Sequence, residues 1–129
     1  VFSDLEKVQL ENFTNSRISK TNNYLLIINR ITNYFTSQHQ LEKISGKLEK
    51  WYELEFADFI KELNKAIKGV KGIILTKKEE FEWMELFEEN KKKVLDLKAQ
   101  IDETDKEIDR IVYELYGLTE EEIQIVENS

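Results

Sequence analysis

Asp102, Asp105 and Asp109 fall near one face of a single helical stretch, and Glu85, Glu88 and Glu89 form a second carboxylate group. The first chemistry to weigh is therefore a cation held by oxygen ligands. A di-iron helical bundle needs Glu-x-x-His pairs, and the one histidine, His39, stands in T-S-Q-H (36 to 39) without that glutamate. With no cysteine in the chain, His39 has no thiol to activate, no second imidazole to share a metal with, and no thiolate zinc site to complete. The carboxylates read instead as solvated faces with lysine partners one turn away, such as Asp102 with Lys106, and His39 reads as a surface or boundary residue. No catalytic, cofactor-binding or metal-ligating residue is assigned. N-F-T (12 to 14) matches a glycosylation acceptor, a triplet common by chance, and is set aside.

A second possible chemistry is phosphate contact. Lys43, Lys47 and Lys50 share one helix face, Lys61, Lys65 and Lys68 share another, and Lys71, Lys77 and Lys78 follow. From 43 to 78 there are nine lysines against five acids, so such a strip could track a DNA backbone through counterion release. Lysine lacks the planar fork with which arginine reads bases, and no arginine occurs between Arg30 and Arg110. Any contact would position DNA rather than specify it. Trp51, Tyr52, Trp83, Tyr113 and Tyr116 are spaced as helix-interface residues and read first as core anchors. The four glycines, at 46, 69, 72 and 117, make no phosphate-binding loop.

The elements that carry these residues are helical. Proline is absent and glycine is scarce, which favours few, long helices over sheets. T-K-K-E (76 to 79) is a capping box, and behind it Trp83, Phe87, Val94, Leu97, Ile101, Ile108, Ile111, Leu115 and Leu118 keep a three-four alternation. Asn90 and Thr104 interrupt that seam with polar groups. The expected long helix over 76–117 ends at Gly117 in a Schellman stop with Leu118 against Tyr113, and Thr119 with Glu122 caps a short helix over 119–127. Upstream, Tyr24, Ile28, Ile31, Phe35, Gln38 and Leu41 supply the partner face of a first arm over 20–68, kinked or briefly turned near Ser45 and Gly46. Phe56, Phe59, Ile60, Leu63 and Ile67 continue that arm, with Gly69 suited to cap it. S-D-L-E (3 to 6) is another capping box, so residues 1–19 are expected to hold a short helix followed by a polar loop at 14–23. The reading is all-α: a single domain, 1–129, built as an antiparallel long-helix coiled-coil-like bundle with short flanking helices.

The 129 residues carry a net charge of -7, unevenly divided: residues 1 to 75 sum to +2 and 76 to 129 to -9. Only the first part suits a nucleic acid. The longest apolar run, Leu25 to Ile28, is too short for a membrane span, and the absence of cysteine fits a reducing, cytoplasmic setting. A chain that begins with Val1 is expected to be a fragment of a longer protein.

Three stretches carry a resemblance: I-D-E-T-D-K-E-I-D-R-I-V-Y-E-L-Y-G-L-T-E-E-E-I-Q-I-V-E (101 to 127), K-L-E-K-W-Y-E-L-E-F-A-D-F-I-K-E-L (47 to 63) and E-E-F-E-W-M-E-L-F-E-E-N-K (79 to 91). Together they are similar to the extreme C-terminus of type II (combined restriction-modification) enzymes, in which an adenine-N6 DNA methyltransferase and often an endonuclease share a chain with a target-recognition region. The match covers roughly residues 40 to 129; the first 35 residues resemble nothing named. The resemblance implies a noncatalytic helical element that packs against the methyltransferase and recognition domains and holds them in register around DNA. It implies S-adenosylmethionine for the parent protein, with Mg as a further candidate, and no cofactor in this segment. A chain without proline cannot hold an Asn-Pro-Pro-Tyr methyltransferase motif or a Pro-Asp nuclease motif. The alternative is a homo-oligomerising coiled-coil scaffold unrelated to DNA, its seam paired between chains.

Overall fold

A computed structural model describes residues 4–128, and every regular element among them is helical. The order is α1 (Asp4–Gln38), α2 (Gly46–Glu49), one 3₁₀ turn (Trp51–Glu53), α3 (Phe56–Gly69), α4 (Lys77–Leu115) and α5 (Glu120–Glu127). The cap of the expected S-D-L-E box, Ser3, lies outside the described residues. Chain contacts divide the described residues into two compact units: Asn23–Leu97, and those up to Asn22 together with those from Lys98 onward. Helices α1 and α4 contribute to both units and run antiparallel in each.

The expected loop at 14–23 is helical. Its Thr, Asn and Ser residues favour turns because their side chains compete for backbone hydrogen bonds, but here tertiary partners decide the outcome. The Thr14 hydroxyl donates to the Leu10 carbonyl within the helix at 2.8 Å. Arg17 pairs with Asp105 of α4, and the Lys20 ammonium lies 3.4 Å from the Thr104 hydroxyl. The short N-terminal helix and the first arm are thus one helix of 35 residues.

That helix also ends earlier than the 20–68 arm requires. Leu41 N–H donates to the Thr36 carbonyl at 2.9 Å, Gln40 N–H donates to Ser37, and Gln40 adopts φ 52°. This is a Schellman stop with glutamine in the left-handed position. The chain restarts at Ser45, whose hydroxyl accepts from Leu48 N–H at 3.2 Å and caps α2. The end of α3 repeats the stop: Gly72 N–H donates to Ile67 at 2.9 Å, Lys71 N–H to Lys68 at 3.0 Å, and Lys71 sits at φ 61°. Gly69 is therefore the last helical residue and not the left-handed cap. The glycine that matters is Gly72, where a Cβ would lie 2.9 Å from Ile67 Cγ2.

In the unit Asn23–Leu97 the core is aromatic. Phe35, Trp51, Phe59 and Phe87 are fully buried, and Trp83 nearly so. Phe59 stacks on Phe87 at 4.7 Å, and Phe35 meets Phe59 edge-on at 5.8 Å. Such offset and T-shaped pairs add stability beyond the area they bury. Trp51 tolerates full burial because its indole N–H donates to the Ile28 carbonyl at 3.3 Å. Asn64 Oδ1 accepts from Leu75 N–H at 3.0 Å and fixes the connection into α4, where Thr76 and Glu79 form the expected capping box.

In the other unit, Ile101 and Ile111 of α4 are buried and Thr104 lies between them in sequence, 6 % exposed. Thr104 donates to the Gln100 carbonyl at 2.8 Å, so its hydroxyl is satisfied along its own helix. The α4 stop follows expectation: Leu118 N–H donates to Tyr113 at 3.1 Å, Gly117 N–H to Glu114 at 3.1 Å, and Gly117 has φ 63°. Thr119 and Glu122 then exchange both bonds of a capping box at the head of α5.

Candidate functional site

All nine lysines of the strip, Lys43, Lys47, Lys50, Lys61, Lys65, Lys68 and Lys71 with Lys77 and Lys78, are exposed, and all belong to the unit Asn23–Leu97. The turn after α1 folds α2 beside α3 and brings together two faces that are separate in sequence. Lys43 and Lys65 border one surface hollow of about 320 Å³ with Ile44, Ser45, Glu62 and Ala66. Lys47 reaches Glu62 at 3.9 Å, so one carboxylate stands inside the basic group and offsets part of its field. Lys61, Lys65 and Lys68 follow the exposed face of α3, and Lys71 occupies its left-handed stop. The arrangement can hold phosphate oxygens by point charge and offers no planar fork for a base edge.

The seam residues divide by depth. Trp83, Phe87, Val94, Ile101 and Ile111 are buried, while Leu97, Ile108, Leu115 and Leu118 are half-buried. Trp51 and Trp83 are core anchors as expected; Tyr52 is half-buried against Tyr24, with ring centroids 6.0 Å apart, and burial with that neighbour's hydrogen bond pushes its phenol up to about 12. Tyr113 is half-buried and Tyr116 is largely exposed.

The carboxylates do not converge. Asp105 is paired with Arg17, Glu89 with Lys93 at 3.4 Å, and Asp102 with Lys98 at 3.1 Å rather than with Lys106, each lysine lying one turn from it on opposite sides. Among the described residues no three His, Asp or Glu side chains come together as a metal would require. Gly46 opens α2, Gly69 ends α3, and Gly72 and Gly117 serve helix stops.

His39 stands at the C-terminal stop of α1 with Nε2 buried and without a hydrogen-bond partner. Burial lowers its pKa, opposed by the nearby Glu79 carboxylate. Glu79 itself is held below the usual carboxylate range, first by the Thr76 backbone N–H it accepts in the capping box. Sequence reasoning placed His39 at the surface or a boundary and had no local signal for its neighbour Glu79. A second hollow, about 300 Å³, lies between α4 and α5 and is lined by Lys106, Asp109, Tyr113, Leu118 and Ile123 among others. Arg110 at its edge is already clamped by Glu107 and Glu114, each at 3.0 Å.

Fold and surface together define an all-α antiparallel helical module, and no described helix is long and apolar enough to cross a membrane. Residues 3–112 match the family model described as Domain of unknown function (DUF8810), and the chain belongs to that family. No curated protein and no solved structure matches it.

Proposed function

We propose that this chain is a noncatalytic helical module of a DNA restriction-modification enzyme or adenine-N6 DNA methyltransferase, acting as a spacer between the methyltransferase and target-recognition domains. The observation that carries this reading is the disposition of the seam: Trp83, Phe87, Val94, Ile101 and Ile111 are covered within the chain, and the lysines stay at the surface. Such an element supplies separation and orientation, which intramolecular chemistry rewards. The resemblance at residues 47 to 63, 79 to 91 and 101 to 127 supports assigning it to this enzyme class. Five of the nine seam residues are covered within the chain, whereas the alternative, a homo-oligomerising coiled-coil scaffold unrelated to DNA, would pair that seam between chains.

Deleting residues 101 to 129 from the parent enzyme is expected to abolish methylation or cleavage while its methyltransferase domain still binds S-adenosylmethionine; full activity after the deletion would refute the spacer role. For the lysine surface, a Lys43→Glu, Lys65→Glu double variant is expected to weaken duplex binding similarly for all sequences and to lower the salt slope by about 2, one for each lost phosphate contact. An unchanged slope removes DNA from the reading.

A further inference from the structure

Helices α3 and α4 leave an apolar groove of about 390 Å³ between them, lined by Phe56, Ala57, Ile60, Phe81 and Met84, with Lys77 and Glu80 at its border. Phe81 is 73 % exposed and Met84 45 %, although both belong to the best-packed part of the chain. Neither falls on the buried seam. On α4 the residues Lys77, Phe81, Met84 and Glu88 succeed one another at intervals of four, three and four, so they share one face.

This face is complementary to itself when reversed. A two-fold axis passing between Glu82 and Trp83 sets Phe81 of one copy against Met84 of the other and Lys77 of one against Glu88 of the other, each pair occurring twice. Reciprocity of this kind is the defining property of an isologous contact. The Lys77 side chain is 98 % exposed and pairs with Glu80, at 3.4 Å along its own helix, a surface pair that constrains it little. Glu88 is exposed.

We propose that this face is a homodimer interface, in which the α4 helices of two copies lie antiparallel and each Phe81 seats in the α3–α4 groove of the other copy. The occupant follows from the charges: the apolar pair alone would accept any amphipathic helix, whereas cation and anion at the two ends select a reversed copy of the same face. The inference shares Lys77 with the lysine strip but uses no seam residue, and it can fail while the DNA reading holds.

Sedimentation equilibrium of the whole chain at low salt tests it. The wild type is expected to dimerise reversibly, more weakly as salt rises; a monomer up to about 1 mM overturns the proposal. Phe81→Glu should abolish association with an unchanged helical spectrum, and a dimer indifferent to that change would lie on another face and equally overturn it. Lys77→Glu places two glutamate pairs in the dimer and Glu88→Lys two lysine pairs, so each variant alone should associate about tenfold more weakly. Mixed together the two should regain wild-type association as a heterodimer, as should the double variant by itself. Failure of both to recover rejects the two-fold register.

Discussion

The two units are built from the same pair of long helices, yet they close their seams by different means. Between Asn23 and Leu97, Phe35, Trp51, Phe59 and Phe87 exclude water completely and touch one another ring to ring. In the other unit, the buried aliphatic residues Ile101 and Ile111 flank Thr104 in sequence, and α1 is joined to α4 through the Arg17–Asp105 pair and the Lys20–Thr104 bond. Burying large rings stabilises a core strongly, whereas a polar layer in a helix pair sets register at some cost in stability. Thr21 sharpens the contrast, because its hydroxyl is buried in the same polar region with no hydrogen-bond partner.

Core truncation should separate the units most strongly. Phe59→Ala removes a ring that contacts Phe35, Trp83 and Phe87, and is expected to cost about 3–5 kcal/mol in urea unfolding. Ile101→Ala should cost about 2 kcal/mol, near the low end for such a change, since its half-exposed surroundings can collapse into the space. Hydrogen exchange on the wild type should then show amides of 98–115 opening at lower free energy than those of 83–94. Equal protection along α4 would mean that the polar layer stabilises as well as the aromatic one.

Helix stops give a smaller and opposite effect. Gln40 and Lys71 hold the left-handed conformation that glycine adopts freely, at φ 52° and 61°. Gln40→Gly or Lys71→Gly is expected to raise stability by about 1 kcal/mol each, measured by thermal unfolding. A loss would show that the native side chains contribute contacts larger than the strain.

The smallest effect is a pH dependence confined to the aromatic unit. Burial lowers the pKa of His39 in the folded state, so its neutral form contributes stability above the unfolded value of about 6.5, and that contribution fades as pH falls through the lowered folded value. Glu79, also lowered, loses its contribution in a separate window below its ordinary value of 4.5. Replacement His39→Leu should flatten the stability profile between about pH 7 and 5 and leave the lower window in place. A slope that survives the substitution belongs to another group.

What could be read from the sequence followed the range of the interaction involved. The boxes at Thr76 and Thr119 and the stop at Gly117 are each closed by residues within five positions, so residue type alone located them. The same local reasoning misplaced 14–23, because the helical state of that polar run is supported from α4, some 85 residues away, by Asp105 and Thr104. It also expected a bend at Ser45 and Gly46 and missed the stop at Gln40, which carries no glycine to announce it. The seam was legible as a period of apolar residues interrupted at Asn90 and Thr104, but the difference in packing between its two halves was not, because it depends on partners from α1, α2 and α3. For the lysines, sequence defined two faces; only the fold shows Lys43 and Lys65 bordering one hollow with Glu62 among them.

The indole groups of Trp51 and Trp83 are both enclosed in Asn23–Leu97, and the chain has no other tryptophan. Tryptophan fluorescence is therefore blind to fraying of the acidic end, whereas helical ellipticity senses both regions at once. Any gap between the two optical melting curves is a direct reading of how far one half of the protein can come apart before the other notices.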